Sequence, residues 1–136
     1  MSEIPEKVHS PINGDSFERV CVIGTIGANG YAQLSPRGSL MVFDKNHLAI
    51  WERSGDRQNG TKITVYFRAR EGLKSVVPGG VVRFYGTAEV HRSGPVYEKV
   101  WERLIPVEKE GDPSKKGYAV LIKIDRAEDL LRNPLK

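Results

Sequence analysis

Lys62-Ile63-Thr64-Val65-Tyr66-Phe67-Arg68-Ala69-Arg70 places an apolar residue at every odd position and a polar one at every even position. Successive side chains of an extended chain point to opposite faces, so this period of two predicts a half-buried β-strand. The same pattern returns in residues 81–91, where Val82, Phe84, Ala88 and Val90 oppose Arg83, Tyr85, Thr87, Glu89 and His91. Near the C-terminus Tyr118-Ala119-Val120-Leu121-Ile122-Lys123-Ile124 is apolar and β-branched with little alternation, the signature of a central strand buried on both faces.

Turn chemistry divides the remainder. Gly27-Ala28-Asn29-Gly30 carries the Asn-Gly pair of a tight hairpin, joining a strand at 20–26 to one at 31–35. Asp44-Lys45-Asn46-His47 separates strands at 39–43 and 48–53, and Pro78-Gly79-Gly80 starts the strand at 81–91. Ser93, Gly94 and Pro95 open a helix that Pro106 stops, with Val96, Val100 and Leu104 four apart and Tyr97 and Trp101 on the adjacent row. A second short helix is expected near Ala127, with Leu130 and Leu131 as its apolar contacts. Residues 1–16 read as an irregular N-terminal segment and 106–116 as a solvated loop. The expected architecture is mainly β: one domain over 1–136, a six- to seven-stranded antiparallel split barrel with one or two short helices.

Composition narrows the function classes. Hydrophobic residues at 39% and charged residues at 28% of 136 are those of a globular domain, and no apolar run is long enough to span a bilayer. The polar N-terminus lacks the layout of a secretory signal, so a cytoplasmic location is expected. The single Cys21 can form neither an intrachain disulfide nor a thiolate cage, and His9, His47 and His91 have no metal-site spacing. Net charge is +4, but acids are interspersed throughout, so a nucleic-acid tail is not indicated. A modest positive potential suits a phosphorylated ligand.

Two clusters could bind one. Ser35-Pro36-Arg37-Gly38-Ser39 offers hydroxyls, a guanidinium fork and a backbone freed by glycine, all suited to phosphate. Trp51-Glu52-Arg53-Ser54-Gly55-Asp56-Arg57-Gln58 adds two guanidiniums, a hydroxyl and an aromatic able to flank a planar ring. Taken singly, each reads first as an ordinary solvated turn or loop. On neighbouring hairpin strands the two can converge.

These clusters, together with Val22-Ile23-Gly24-Thr25-Ile26-Gly27-Ala28-Asn29-Gly30-Tyr31, Ala49-Ile50-Trp51-Glu52-Arg53-Ser54-Gly55, Val82-Arg83-Phe84-Tyr85-Gly86-Thr87-Ala88-Glu89-Val90 and Gly94-Pro95-Val96-Tyr97-Glu98-Lys99-Val100-Trp101-Glu102, occur in an order that resembles the pyridoxamine 5′-phosphate oxidase-like superfamily, over residues 19–126. The resemblance implies an FMN-binding split barrel, a homodimer with flavin at the subunit interface, and a small-molecule redox substrate of unassigned identity. It nominates Ser35, Arg37, Arg53, Ser54 and Arg57 for phosphate or ribityl contacts and Trp51 for the ring system, with Tyr97 or Trp101 contributed by the partner subunit. A deazaflavin is the alternative cofactor that this fold can hold. The family's short helix before the strand at Lys62 is missing, since only residues 55–61 intervene; Arg57 and Lys62 either replace its contribution or the site is degenerate. No catalytic acid, base or nucleophile is recognisable, which a flavoenzyme does not require, because the isoalloxazine carries the redox chemistry. The competing readings are a non-catalytic split-barrel dimer without cofactor, binding a small ligand or a protein, and an oligonucleotide-binding barrel using Tyr66, Tyr85 and Arg83. Glu71, Glu89 and Glu98 stand against the latter, and nucleic acid is not an expected partner.

Overall fold

The alternation at residues 62–70 becomes strand β5 (Lys62–Arg68), third in a seven-stranded antiparallel sheet ordered β2-β1-β5-β6-β7-β4-β3. The structure is a computed structural model that describes residues 3–14, 18–53 and 55–136. The other strands are β1 (Val20–Ile26), β2 (Ala32–Pro36), β3 (Met41–Asp44), β4 (His47–Glu52), β6 (Val81–His91) and β7 (Tyr118–Asp129). The helices are α1 (His9–Asn13), α2 (Pro95–Arg103) and α3 (Pro106–Glu110).

Register shows why the pattern folds this way. Cys21 and Ile23 of β1 stand opposite Phe67 and Val65 of β5, which stand opposite Val82 and Phe84 of β6. Ala88 and Val90 continue to Ile122 and Val120 of β7, and these to Leu48 and Ile50 of β4. One apolar face therefore runs around the curled sheet and forms the barrel core. Strands β4 and β7 are apolar on both faces because α2 covers the outside: Val100 and Leu104 pack on Met41, Ala49, Trp51, Ala119 and Leu121. The apolar stripe of the helix is thus spent on its own barrel.

Three local expectations are corrected. Residues 1–16 are not irregular throughout. A 3-10 turn (Glu6–Val8) and α1 place Ile4, Val8 and Ile12, each four apart, in the core with Leu73 and Val77. Asn13 Oδ1 also accepts the Val42 amide at 2.7 Å. The helix expected near Ala127 is absent, because β7 continues to Asp129. The partners of Tyr85 and Gly86 are Arg126 and Ile124, so Asp125 is an extra, bulged residue that shifts the inward face from Ile124 to Ala127. At the bulge a Cβ on Gly86 would lie 2.6 Å from Ile122 Cγ2. Finally, 106–116 is not a plain solvated loop: Pro106, which stops α2, also occupies the first turn of α3, and Asp112 beyond it is buried.

Candidate functional site

Antiparallel pairing of β1 with β2 sets Ile23 beside Ser35 and Thr25 beside Gln33 on one face of the hairpin. Just past β2, the Arg37 amide donates to Cys21 O at 3.0 Å, which fixes where the Arg37 side chain begins. Glu52 ends β4, and Arg57 follows in the loop behind it. The Arg57 amide donates to Tyr118 Oη (2.9 Å), whose hydroxyl donates to Gly55 O (3.3 Å). Ser35, Arg37, Glu52 and Arg57 thereby meet around one polar cavity of about 280 Å³, also lined by Thr25 and Gln33.

The centre of this cavity is an ion cluster. The Glu52 carboxylate is 3% exposed. Its Oε1 accepts from Arg37 Nε at 3.0 Å and Arg57 Nη2 at 3.3 Å, and its Oε2 accepts from Arg37 Nη2 at 3.1 Å. Arg37 Nη1 donates to Ser35 Oγ (3.0 Å) and Pro36 O (2.8 Å), so every nitrogen of Arg37 is engaged. Arg57 is not saturated: its Nε is buried and has no hydrogen-bond partner among the described residues. A buried donor without an acceptor is costly, and because Arg57 lines the polar cavity, an oxygen entering there would relieve that cost. The two arginines and one glutamate sum to a single positive charge. Asp56, at the same cavity, is matched by Arg92 at 2.9 Å.

The other nominated residues lie elsewhere. Arg53 and Gly38 line a second cavity of about 210 Å³, which shares Arg37 and Glu52 with the first. Arg53 is half exposed, 3.8 Å from Glu108. Ser39 is buried; its Oγ accepts the Trp51 amide at 2.9 Å and lies 3.4 Å from Trp51 O, where it joins β4 to the start of β3. The Trp51 ring points to the outside of the sheet, away from Glu52, with ring centroids of Tyr97 and Trp101 of its own chain at 5.2 and 5.1 Å. Trp51 Nε1 donates to Asp112 Oδ2 at 2.9 Å. Lys62 is exposed and donates to Thr87 Oγ1 at 2.8 Å, away from the cavity. Ser54 lies outside the described residues.

Thr25, Gln33, Asp56 and Tyr118 complete the surroundings and were not singled out in the sequence. The signal for the first two was available: in a period-two strand pair they share the face of Ser35. Asp56 and Tyr118 required the tertiary fold. Nucleophilic chemistry by Cys21 is disfavoured, since burial pushes its thiol up to about 12 even though the charges of Arg19 and Arg37 pull it down.

No family model matches the sequence, and no curated protein matches it. Solved structures do. HupZ of Group A Streptococcus is 23% identical over 98% of each chain, with a TM-score of 0.70. An FMN-binding protein from Syntrophomonas wolfei is 14% identical over 96% of this chain and 87% of its own, TM-score 0.64. A Clostridium acetobutylicum protein of the pyridoxinephosphate oxidase family, related to general stress protein 26, is 19% identical over 93% of this chain and 89% of its own, TM-score 0.62. The chain shares the fold of these solved structures, a split barrel.

Proposed function

We propose that this chain binds a flavin nucleotide, FMN in the first instance, with the cofactor's phosphate end in the cavity between Ser35, Arg37 and Arg57. The observation that carries the reading is the buried, unpartnered Arg57 Nε beside a second guanidinium and a hydroxyl. Guanidiniums and a hydroxyl are the donor types that suit a phosphate ester, which brings several acceptor oxygens and negative charge. The bound flavin would supply hydride or electron transfer through its ring. The chain's own residues bind and orient: Ser35 holds the Arg37 guanidinium, and Tyr118 holds the Arg57 backbone.

A cavity of about 280 Å³ lies just below the usual range for a whole small-molecule ligand, roughly 300–1,000 Å³. It takes the phosphate and ribityl end, and the ring requires further surface. We place that surface in a second copy of the chain. The other face of the β1–β2 hairpin exposes Ile26 (74%) and Leu34 (72%), and an apolar hollow beside Val20, Val22 and Pro36 continues it. Exposed apolar surface of this kind is suited to association. A homodimeric, cytoplasmic flavin-dependent oxidoreductase of unassigned substrate is the full form of this reading. Among the described residues no helix is long and apolar enough to cross a membrane.

The Glu52 carboxylate between the two arginines favours one second reading, a split-barrel dimer whose flavin site is degenerate and which serves as a ligand- or protein-binding module. An absorbance scan before and after incubation with excess FMN and desalting separates the two. Retained flavin absorbance, with a dimer by light scattering, supports the oxidoreductase. A protein that stays colourless supports the module. A deazaflavin is tested by the same scan.

A further inference from the structure

The cavity already contains an anion, and it belongs to the protein. Glu52 contributes two carboxylate oxygens to two guanidiniums, in the bidentate geometry by which arginine also grips phosphate. Its 3% exposure shows that this carboxylate has given up nearly all its water for those contacts. With it in place, Arg37 has no unspent nitrogen, and among the described residues that line the cavity Arg57 Nε is the buried donor left without a partner. The charge left over is one positive unit, whereas a phosphate monoester brings about −1.5 to −2 at neutral pH and three strong acceptor oxygens. The seat and a phosphate dianion do not match while Glu52 is there. They match once its carboxylate withdraws, because two positive charges and the Arg37 Nε and Nη2 donors are then released.

We infer that Glu52 is a built-in occupant of the anion seat and the residue that sets its selectivity: a phosphate-bearing ligand enters by displacing the Glu52 carboxylate from Arg37 and Arg57. This rests on the proposed flavin site for the identity of the ligand, but not for the exchange of one oxyanion for another.

The test compares wild-type protein with E52Q, which keeps the side chain's size and removes its charge. Unfolding is followed in chloride and in inorganic phosphate at matched ionic strength, and both proteins are titrated with FMN and with riboflavin, which lacks the phosphate. E52Q is expected to melt about 5 °C below wild type in chloride and to regain most of that loss in phosphate, while wild type gains little. Its affinity for FMN is expected to rise about tenfold, roughly the worth of one charge-assisted hydrogen bond, with riboflavin unchanged. An E52Q that unfolds in chloride and folds in phosphate is the same result in extreme form. A variant that phosphate stabilises no more than wild type, one that stays unfolded in phosphate, or one that loses FMN affinity overturns the inference. If phosphate rescues E52Q while neither protein binds either flavin, the occupied seat stands and the flavin reading falls. If wild type holds FMN and E52Q releases it, the flavin reading stands and the occupied seat falls.

Discussion

Trp51 and Glu52 are neighbours at the end of β4 and point to opposite sides of the sheet, where two carboxylates, Asp112 and Glu52 itself, are held differently. On the outside, Asp112 accepts from Trp51 Nε1 at 2.9 Å, the Lys116 amide at 2.9 Å and the Gly117 amide at 2.7 Å. On the other side Glu52 is held by two guanidiniums, one of which keeps an unspent buried donor. The Asp112 cluster is built from donors fixed by the fold, so it is satisfied and closed. The Glu52 cluster is built from long, cationic side chains that could satisfy another anion equally well. Burial alone does not separate a structural carboxylate from one at a ligand site; the nature of its donors does.

The largest effect that would break this contrast falls on Asp112. Asp112→Ala strands three donors and is expected to cost about 4 kcal/mol in urea unfolding, with no specific rescue by phosphate. The same cluster gives a pH signature. Burial alone would raise the Asp112 pKa, but the hydrogen bonds from Trp51, Lys116 and Gly117 and the Arg53 charge outweigh it, and the net shift is downward. A depressed folded pKa means stability that is fully present above the unfolded value near 3.9 and lost as pH falls through the folded one. Asp112→Asn should therefore flatten the acid limb of the stability curve below about pH 4. A limb unchanged from wild type would assign acid sensitivity elsewhere.

Gly117 comes next. A Cβ there would lie 2.5 Å from Trp51 Nε1 and 3.0 Å from Asp112 Oδ2, so Gly117→Ala must spread the cluster, at about 2–3 kcal/mol with altered Trp51 fluorescence. Arg37→Ala is expected to cost about 2 kcal/mol by leaving Glu52 underpaired, and to weaken FMN retention. The double variant Arg37→Ala with Glu52→Gln should be more stable than Arg37→Ala alone, a coupling that a thermodynamic cycle measures directly. Additive losses would show that the two side chains do not act as a pair. Smallest of all, Lys62→Ala should change stability by less than about 0.5 kcal/mol and leave FMN binding as it was, because Lys62 is exposed and bonds Thr87 outside the cavity.

The fold was legible where side-chain period and burial coincide. Ile63, Val65 and Phe67 announce β5, and the unbroken run from Tyr118 announces a strand covered on both faces. Legibility ended where the period itself changed. The bulge at Asp125 reverses the faces of β7, and beyond it Ala127 no longer reads as strand. In the N-terminal segment, Ile4, Val8 and Ile12 carry a helical spacing, but Pro5 and Pro11 masked it. At the site, the two hairpins are consecutive in sequence but stand at opposite ends of the strand order, so Ser35, Arg37 and Arg57 converge because the sheet curls. The direction of Trp51 was unreadable, since it depends on α2 and on Asp112, sixty-one residues away in the chain. That Glu52 would sit between the arginines was also unreadable, because a charge at a strand end gives no sign of the partner it will meet.

The central claim is that the Arg37–Arg57 cavity recognises the phosphate of a flavin nucleotide. Its most direct test is the ratio of FMN to riboflavin affinity, measured by flavin fluorescence titration on wild-type protein and on Arg57→Ala. The account predicts that wild type prefers FMN by about tenfold, the equivalent of one charge-assisted hydrogen bond, and that Arg57→Ala brings the ratio close to one. Equal affinity of wild type for the two flavins, or binding of neither, would contradict it.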